Sequence, residues 1–384
     1  MAGQPLLRLL PSRQAVTRSE DVPDARFTLS VMQWGQFVDH DLMLTPHFSL
    51  DGGAGIACCT DAGLPLPAQQ LHPAQQNVLS HFLDGSNVYG SEEAHQRHLR
   101  QLGGGWLRTQ PGSLLPADSQ GGGCINATTV CFEAGDVRVN EQISLTVTHT
   151  IWMRQHNRVA SALAARHTTW DDERLFQEAR RIVVAQMQHI TYNEWLPTLL
   201  DADFLTRNEL LPGTGTAHSE KYMSTLNPSI SNEFATAAFR FGHSMVSGTL
   251  KMFSALGGSA TSQAQALDGY FAEDLTEHLF QGDGDAYGLD LVALNIQRGR
   301  DHGLATYNDR WEDLSSDLPD EAITALRAAY GHVDDVDIWA RVLCDNVDGI
   351  TRVQPLAFRV ADTAANAVTD CDSRAIPTVD LSQW

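Results

Sequence analysis

The sequence predicts a mainly α-helical chain, and three observations carry that reading. Apolar residues recur at helical spacing over two long neighbouring stretches, 141–167 and 170–195. No stretch alternates polar and apolar residues for long, as a half-buried strand would. The intervening segments are rich in Gly, Pro and small polar residues, the punctuation of loops.

Taken in order, residues 1–27 are polar and proline-punctuated and read as an extended lead-in. Residues 28–43 read as a helix, entered through Thr28 or Ser30 and stopped before Pro46. Loops follow at 51–76 and 103–123, the second containing Gly121-Gly122-Gly123. The helix over 141–167 carries Ile143, Val147, Ile151 and Val159 among its apolar positions. The next opens on Asp171 and Asp172, whose charge suits a helix N-terminus. Residues 232–246 read as a third helix and 255–268 as a loop, with further helices near 271–280, 289–300 and 319–330.

With 384 residues and 42% hydrophobic content the chain can bury a sizeable core, which excludes a disordered acidic tail. No run of 18 apolar residues is present, so no spanning helix is expected. The formal charge of −21 argues against nucleic acid or an anionic membrane as partner. The six cysteines, Cys58, Cys59, Cys124, Cys131, Cys344 and Cys371, form no Cys-x-x-Cys pair, which argues against structural zinc. Cys124 and Cys131 flank the sequon Asn126-Ala127-Thr128, a pairing that tilts toward an oxidising, secretory compartment. The apolar stretch at the N-terminus is too short and too interrupted to read as a signal peptide.

Four constellations carry chemistry. In VMQWGQFVDHDLMLTP, residues 31–46, Gln36, Asp39 and His40 fall within about 100° of one another on one face of an otherwise apolar helix. Asp41 points some 100° away from His40. In GDVRVNE, residues 135–141, Arg138 and Glu141 can face one cavity. In FRFGH, residues 239–243, one helical turn joins Arg240 to His243, and Gly242 permits close approach of a bulky neighbour. In LVALNIQRGRDHG, residues 291–303, Asn295 sits among apolar residues, and Arg298, Arg300 and Asp301 suit a polar network or an anion. Each also has an ordinary reading when taken alone. These are a capped solvent-facing turn, an exposed ion pair at a helix start, a satisfied core histidine and a helix end with solvated charges.

Together the segments resemble the animal haem peroxidases. QWGQFVDHD, FLDGSNVYGS, GDVRVNE, HNRVA, ITYNEWLP, FRFGH and ALNIQRGRDHG stand in that family's order, from about residue 25 to the C-terminus. The resemblance implies a fold with haem between a distal and a proximal helix. It makes residues 25–384 one peroxidase domain behind a lead-in of residues 1–24. It implies a secreted enzyme that reduces hydrogen peroxide and oxidises halide, pseudohalide or small organic donors. An extracellular-matrix or cell-surface partner goes with it.

By the same resemblance His40 is the distal histidine, Gln36 its pocket partner and Arg138 the distal arginine. His243 is the proximal ligand to iron, Asn295 its hydrogen-bond acceptor, and Arg240 and Arg298 the partners of the propionates. Asp39 and Glu141 match the carboxylates that esterify haem b. Asp41, Ser80, Phe82 through its carbonyl, Asp84 and Ser86 match a calcium site. Cys344 and Cys371 match a family disulfide. The roles suit the side chains: a neutral histidine can take a proton from peroxide and return it, an arginine steadies developing charge, and alternate residues 80–86 share one side if extended.

The chain departs from the family in three places. A stretch of tens of residues is nearly absent near 74–78, and an apolar helical segment after His243 is replaced near 250–266. Gln142 stands where some members carry a methionine bonded to haem. These shortenings support a rival reading, a catalytically impaired peroxidase-like adhesion or interaction module. A non-haem metalloenzyme lacks a metal-spaced pair such as His-Glu-x-x-His.

Overall fold

The computed structural model describes residues 17–18, 22–45, 77–118, 131–207, 210, 224–248, 250, 263–265, 271–282, 284–304, 338–361 and 366–377. The loop expected over 51–76, the helix expected over 319–330, Cys58, Cys59, Cys124 and the sequon lie outside these residues. So do the shortened segment near 74–76 and the side chains of Arg300 and Asp301.

The described elements are mostly helical. β1 (Thr17–Arg18) and β2 (Pro23–Thr28) lead into α1 (Leu29–Leu42), followed by α2 (Ser86–Tyr89) and α3 (Glu93–Leu99). A 3-10 turn, Val137–Asn140, precedes α4 (Ile143–Arg166) and α5 (Asp172–His189). A π-turn, Ile190–Trp195, runs on into α6 (Leu196–Leu199), and α7 (Ala202–Arg207) follows. Next come α8 (Asn232–Thr236), a 3-10 segment Ala238–Met245, β3 (Gln263–Gln265), β4 (Phe271–Ala272), α9 (Glu273–Glu277) and α10 (Leu291–Asp301). α11 (Trp339–Asn346), β5 (Arg352–Val353) and β6 (Thr369–Asp370) complete the order. The strands form only two-stranded pairs: β1 with β4 in parallel, and β2 with β3 and β5 with β6 antiparallel.

α1 is buried on almost every side. Val31, Trp34, Phe37 and Val38 enter the core, and Asp39, His40 and Asp41 are buried with them. Its start is tied down by the C-terminal part of the chain: Thr28 N–H donates to Phe358 O at 3.0 Å and Thr28 Oγ1 to Ala357 O at 2.8 Å. Behind it Trp34, Trp152 of α4 and Trp339 of α11 pack together, with ring centroids 5.0–5.9 Å apart. Aromatic burial of this size is what holds α1 in place. The helix α4 runs beside α5, which opens on Asp171 as its N-cap, accepting from Arg174 N–H at 2.8 Å. Arg100 is held by the first turn of α5, through Asp172 at 2.8 Å and through Glu173.

Two expected helices are divided. The helix expected over 170–195 is α-helical to His189 and then widens into the π-turn. Pro197 explains the change, because its ring carries no N–H to continue the ladder and it is placed in the first turn of α6 instead. The helix expected over 232–246 breaks at Ala237, so FRFGH lies on a 3-10 segment. Residues 80–86 are not an extended run. His81 has a φ of 66°, and Ser80 Oγ donates to Asp84 Oδ2 at 2.9 Å, closing a tight turn. The Cys344–Cys371 disulfide is formed, with sulfurs 2.07 Å apart, and Cys131 is also disulfide-bonded. Among the described residues no helix is long and apolar enough to cross a membrane.

Candidate active site

A cavity of about 430 Å3 opens between α1, the start of α4, the 3-10 segment Ala238–Met245 and α10. α1 contributes Gln36, Asp39 and His40, the segment before α4 contributes Glu141 and Gln142, and the opposite side contributes Arg240, His243 and Arg298. Residues far apart in sequence therefore share one wall or face it.

His243 and Asn295 form a hydrogen-bonded pair on one side of the cavity. His243 Nδ1 donates to Asn295 Oδ1 at 2.8 Å, since an amide oxygen only accepts, and Nε2 keeps its lone pair. Burial, then the charge of Arg240, pushes the imidazole down to about 4, so it is neutral at physiological pH. Such a nitrogen, oriented from behind, has the chemistry and orientation to ligate a metal.

His40 is 4% exposed, and burial followed by the charge of Arg138 holds it well below the ordinary imidazole value. Its Nε2 lies 3.4 Å from Glu141 Oε2, while its Nδ1 lies 3.8 Å from Asp136 Oδ1 and has no hydrogen-bond partner. Gln36 Nε2 donates to the same Glu141 oxygen at 3.2 Å. Asp39 faces Arg240 at 3.4 Å and Arg138 at 3.8 Å through Oδ2, and its Oδ1 is unpartnered. Burial raises the carboxyls of both Asp39 and Glu141. Across from them burial, then Arg240, lowers Arg298. The two carboxyls favour losing charge, and Arg298 favours gaining an anion.

Arg138 stands apart from the cavity wall. Asp136 grips it twice, accepting from Nε at 2.8 Å and from Nη2 at 2.7 Å, and the remaining reach of Nη2 is to the backbone oxygen of His40 at 3.3 Å. Asp136 is a residue to which the sequence reading assigned no role. Its position two residues ahead of an arginine in a turn was the available signal.

The oxygen-bearing loop beside α1 is assembled around Asp41. Asp41 accepts from Ser86 Oγ at 2.7 Å and Gly85 N–H at 3.1 Å, and Asp84 accepts from Ser80 Oγ and Ser86 N–H. Burial pushes Asp41 up to about 7. The Phe82 side chain is 54% exposed. Among the described residues no group of three or more His, Cys, Asp or Glu gathers as a metal site.

With this geometry in view, the animal haem peroxidase family matches residues 5–73, 65–257 and 254–373. The chain belongs to the animal haem peroxidase family. It is 31% identical to a chorion peroxidase of Drosophila melanogaster over 527 aligned positions, covering all of this chain and 65% of that one. It is 34% identical to Drosophila melanogaster peroxidasin over 451 positions, covering 92% of this chain but 29% of that one. A human peroxidasin homolog is 30% identical, with 94% of this chain and 34% of that one covered. The chain thus spans less than two thirds of these relatives. Among solved structures, peroxidase A from Dictyostelium discoideum superposes with a TM-score of 0.60 at 25% identity, covering 85% of this chain and 75% of that one. A rice fatty acid alpha-dioxygenase shares the fold alone, at 20% identity and a TM-score of 0.55 over 84% of this chain and 65% of that one.

Haem-peroxidase membership implies haem, and the cavity fits that group. It sets a neutral histidine nitrogen beside Arg298, whose charge burial and Arg240 disfavour, and beside Arg240, and it leaves Asp39 Oδ1 unpartnered on the facing wall. The family carries a peroxidase-type function.

Proposed function

We propose that this chain is a haem-dependent peroxidase that reduces hydrogen peroxide and oxidises halide, pseudohalide or small organic donors. One observation carries the reading: two neutral histidines, His40 buried and His243 half-buried, border one cavity from opposite elements.

Haem bound through His243 Nε2 supplies the redox chemistry. The chain's residues do the rest. Asn295 holds the His243 ring, and Arg240 and Arg298 take the propionates in charge-assisted pairs. His40, uncharged, accepts a proton from peroxide at a ring nitrogen and returns it to the departing oxygen. Gln36 holds peroxide beside His40. Arg138, fixed by Asp136, supplies positive charge behind the reacting oxygens. Asp39 and Glu141 are the ester-forming carboxylates. Calcium is the group that suits the loop: Asp41, Asp84, Ser80 and Ser86 supply oxygens, Phe82 a carbonyl, and Asp41 is a buried carboxylate without a cation.

Residues 25–384 form a single peroxidase domain in this reading, shortened near 74–78 and 250–266. Supporting the shortening, 384 residues spread over 527 aligned positions with chorion peroxidase, and the family match divides at 65–73 and 254–257. Secretion, glycosylation at Asn126 and a matrix partner follow from the same reading, with the Cys344–Cys371 and Cys131 disulfides in support.

The test is an absorbance spectrum of the full chain expressed with haem supplied, followed by a peroxide-dependent donor assay. A Soret band and turnover are the expected result. A folded chain without a Soret band overturns the proposal in favour of the interaction module.

A further inference from the structure

Gln142 is the N-cap of α4 and the hub of a small amide network. One bond in it has a fixed direction: Ser144 backbone N–H donates to Gln142 Oε1 at 2.8 Å, and a backbone N–H can only donate. With its oxygen committed, Gln142 presents Nε2 to its neighbours. It donates to Gln33 Oε1 at 2.5 Å and to Gln36 Oε1 at 2.8 Å. Gln36, its own oxygen taken, presents Nε2 in turn and donates to Glu141 Oε2 at 3.2 Å. An amide has one accepting end and one donating end, so the polarity set at Ser144 passes through two glutamines to a carboxylate.

We infer that Gln142 is a positioning residue: by fixing the direction of the Gln36 amide, it makes Gln36 a donor to Glu141 and selects which Glu141 oxygen is held. The held oxygen is Oε2, shared with His40 Nε2 at 3.4 Å, and Oε1 is the oxygen the network does not engage. In the haem reading, on which this rests, Oε1 is then the atom presented for ester formation.

The isosteric substitution Gln142→Glu separates this role from packing. It retains an acceptor for Ser144 N–H and places negative charge at a helix N-terminus, where it is tolerated. It also removes the donor to Gln36. Gln36 must turn its Nε2 toward residue 142, and its Oε1 then meets Glu141, acceptor against acceptor. The full chain without haem is labelled with 13C at its glutamate carboxyls and titrated by NMR, with Glu141→Gln assigning the resonance. The Glu141 midpoint should rise by about one pH unit in Gln142→Glu. In a Gln36→Leu background the same substitution should raise it much less, because only through-space repulsion remains. Arg138, Asp39, Asp136 and Arg298, the other charges acting on Glu141, and His40 beside it are unchanged throughout. Equal shifts with and without Gln36 overturn the inference.

The second readout follows haem loading and peroxide treatment, by denaturing peptide mapping. Gln142→Glu should lose the haem link at Glu141 and keep the one at Asp39; a wild-type share at Glu141 overturns the positioning role. A wild-type chain that binds no haem defeats the haem reading instead, and the haem-free titration then decides the relay.

Discussion

His243 gives one nitrogen to Asn295 and leaves the other to the cavity, so its removal tests the proximal assignment directly. His243→Ala should abolish the Soret band of the haem-loaded chain or shift it to a weakly bound form; an unchanged spectrum and activity refutes the role. His40→Ala should keep haem yet slow peroxide cleavage at least about 100-fold by stopped flow, the scale of lost acid–base catalysis. Asp136 makes a different kind of prediction. Burial opposes its charge, but the Arg138 hydrogen bonds and charge outweigh burial and bring it to about 2, from an ordinary 3.8. Its folded value is depressed, so its stabilisation is complete above about pH 4 and lost as pH falls through about 2. Asp136→Asn should melt lower at neutral pH and show a shallower fall in Tm between pH 4 and 2; parallel acid curves would count against the clasp. His40, His243 and Asn295 were singled out by the family motifs, since each taken alone also reads as an ordinary satisfied polar group. The Asp136 clasp was not, because it exists only where a 3-10 turn folds residue 136 back onto residue 138.

Elements were legible where periodicity was long and illegible where one residue changed the hydrogen-bond ladder. α1 and α4 lie within one or two residues of their expected ends, apart from the 3-10 turn ahead of α4. Pro197 and Ala237 divided the other two helices, and α2, α3 and α11 are too short to show a period. The turn that carries Arg138 is docked on α2 through Gly135. A Cβ there would stand 2.4 Å from Gly90 N and Ser86 O, both backbone atoms with nowhere to retreat. Gly135→Ala should cost about 1–3 kcal/mol, the range for overpacking, read from a thermal melt. A melt within error of wild type would show that the turn and α2 separate freely. The proposed calcium site belongs to this scale too, because Asp41 lies in α1 and Ser86 opens α2. A chelator should lower the Tm, and metal analysis of pure, active protein that finds no calcium would show the oxygen set to be misassigned.

For the whole molecule the family motifs carried more than periodicity did. Composition argued against nucleic acid and an anionic membrane as partners, but only the order of the motifs grouped residues 36–40, 138–141, 240–243 and 295–298. The same assembly has a consequence for synthesis. α1 emerges early, yet the groups that close its back and hold its start, Trp339, Ala357 and Phe358, come from the far end of the chain. On the ribosome the distal wall must wait, with Trp34 uncovered, until residues beyond 338 have left the exit tunnel. Late closure of such distant contacts is slow and leaves apolar surface open to association. A nascent chain stalled short of residue 338 should therefore be cut within 29–42 by protease, while the folded protein resists, and haem should be captured only once residues 338–358 have emerged.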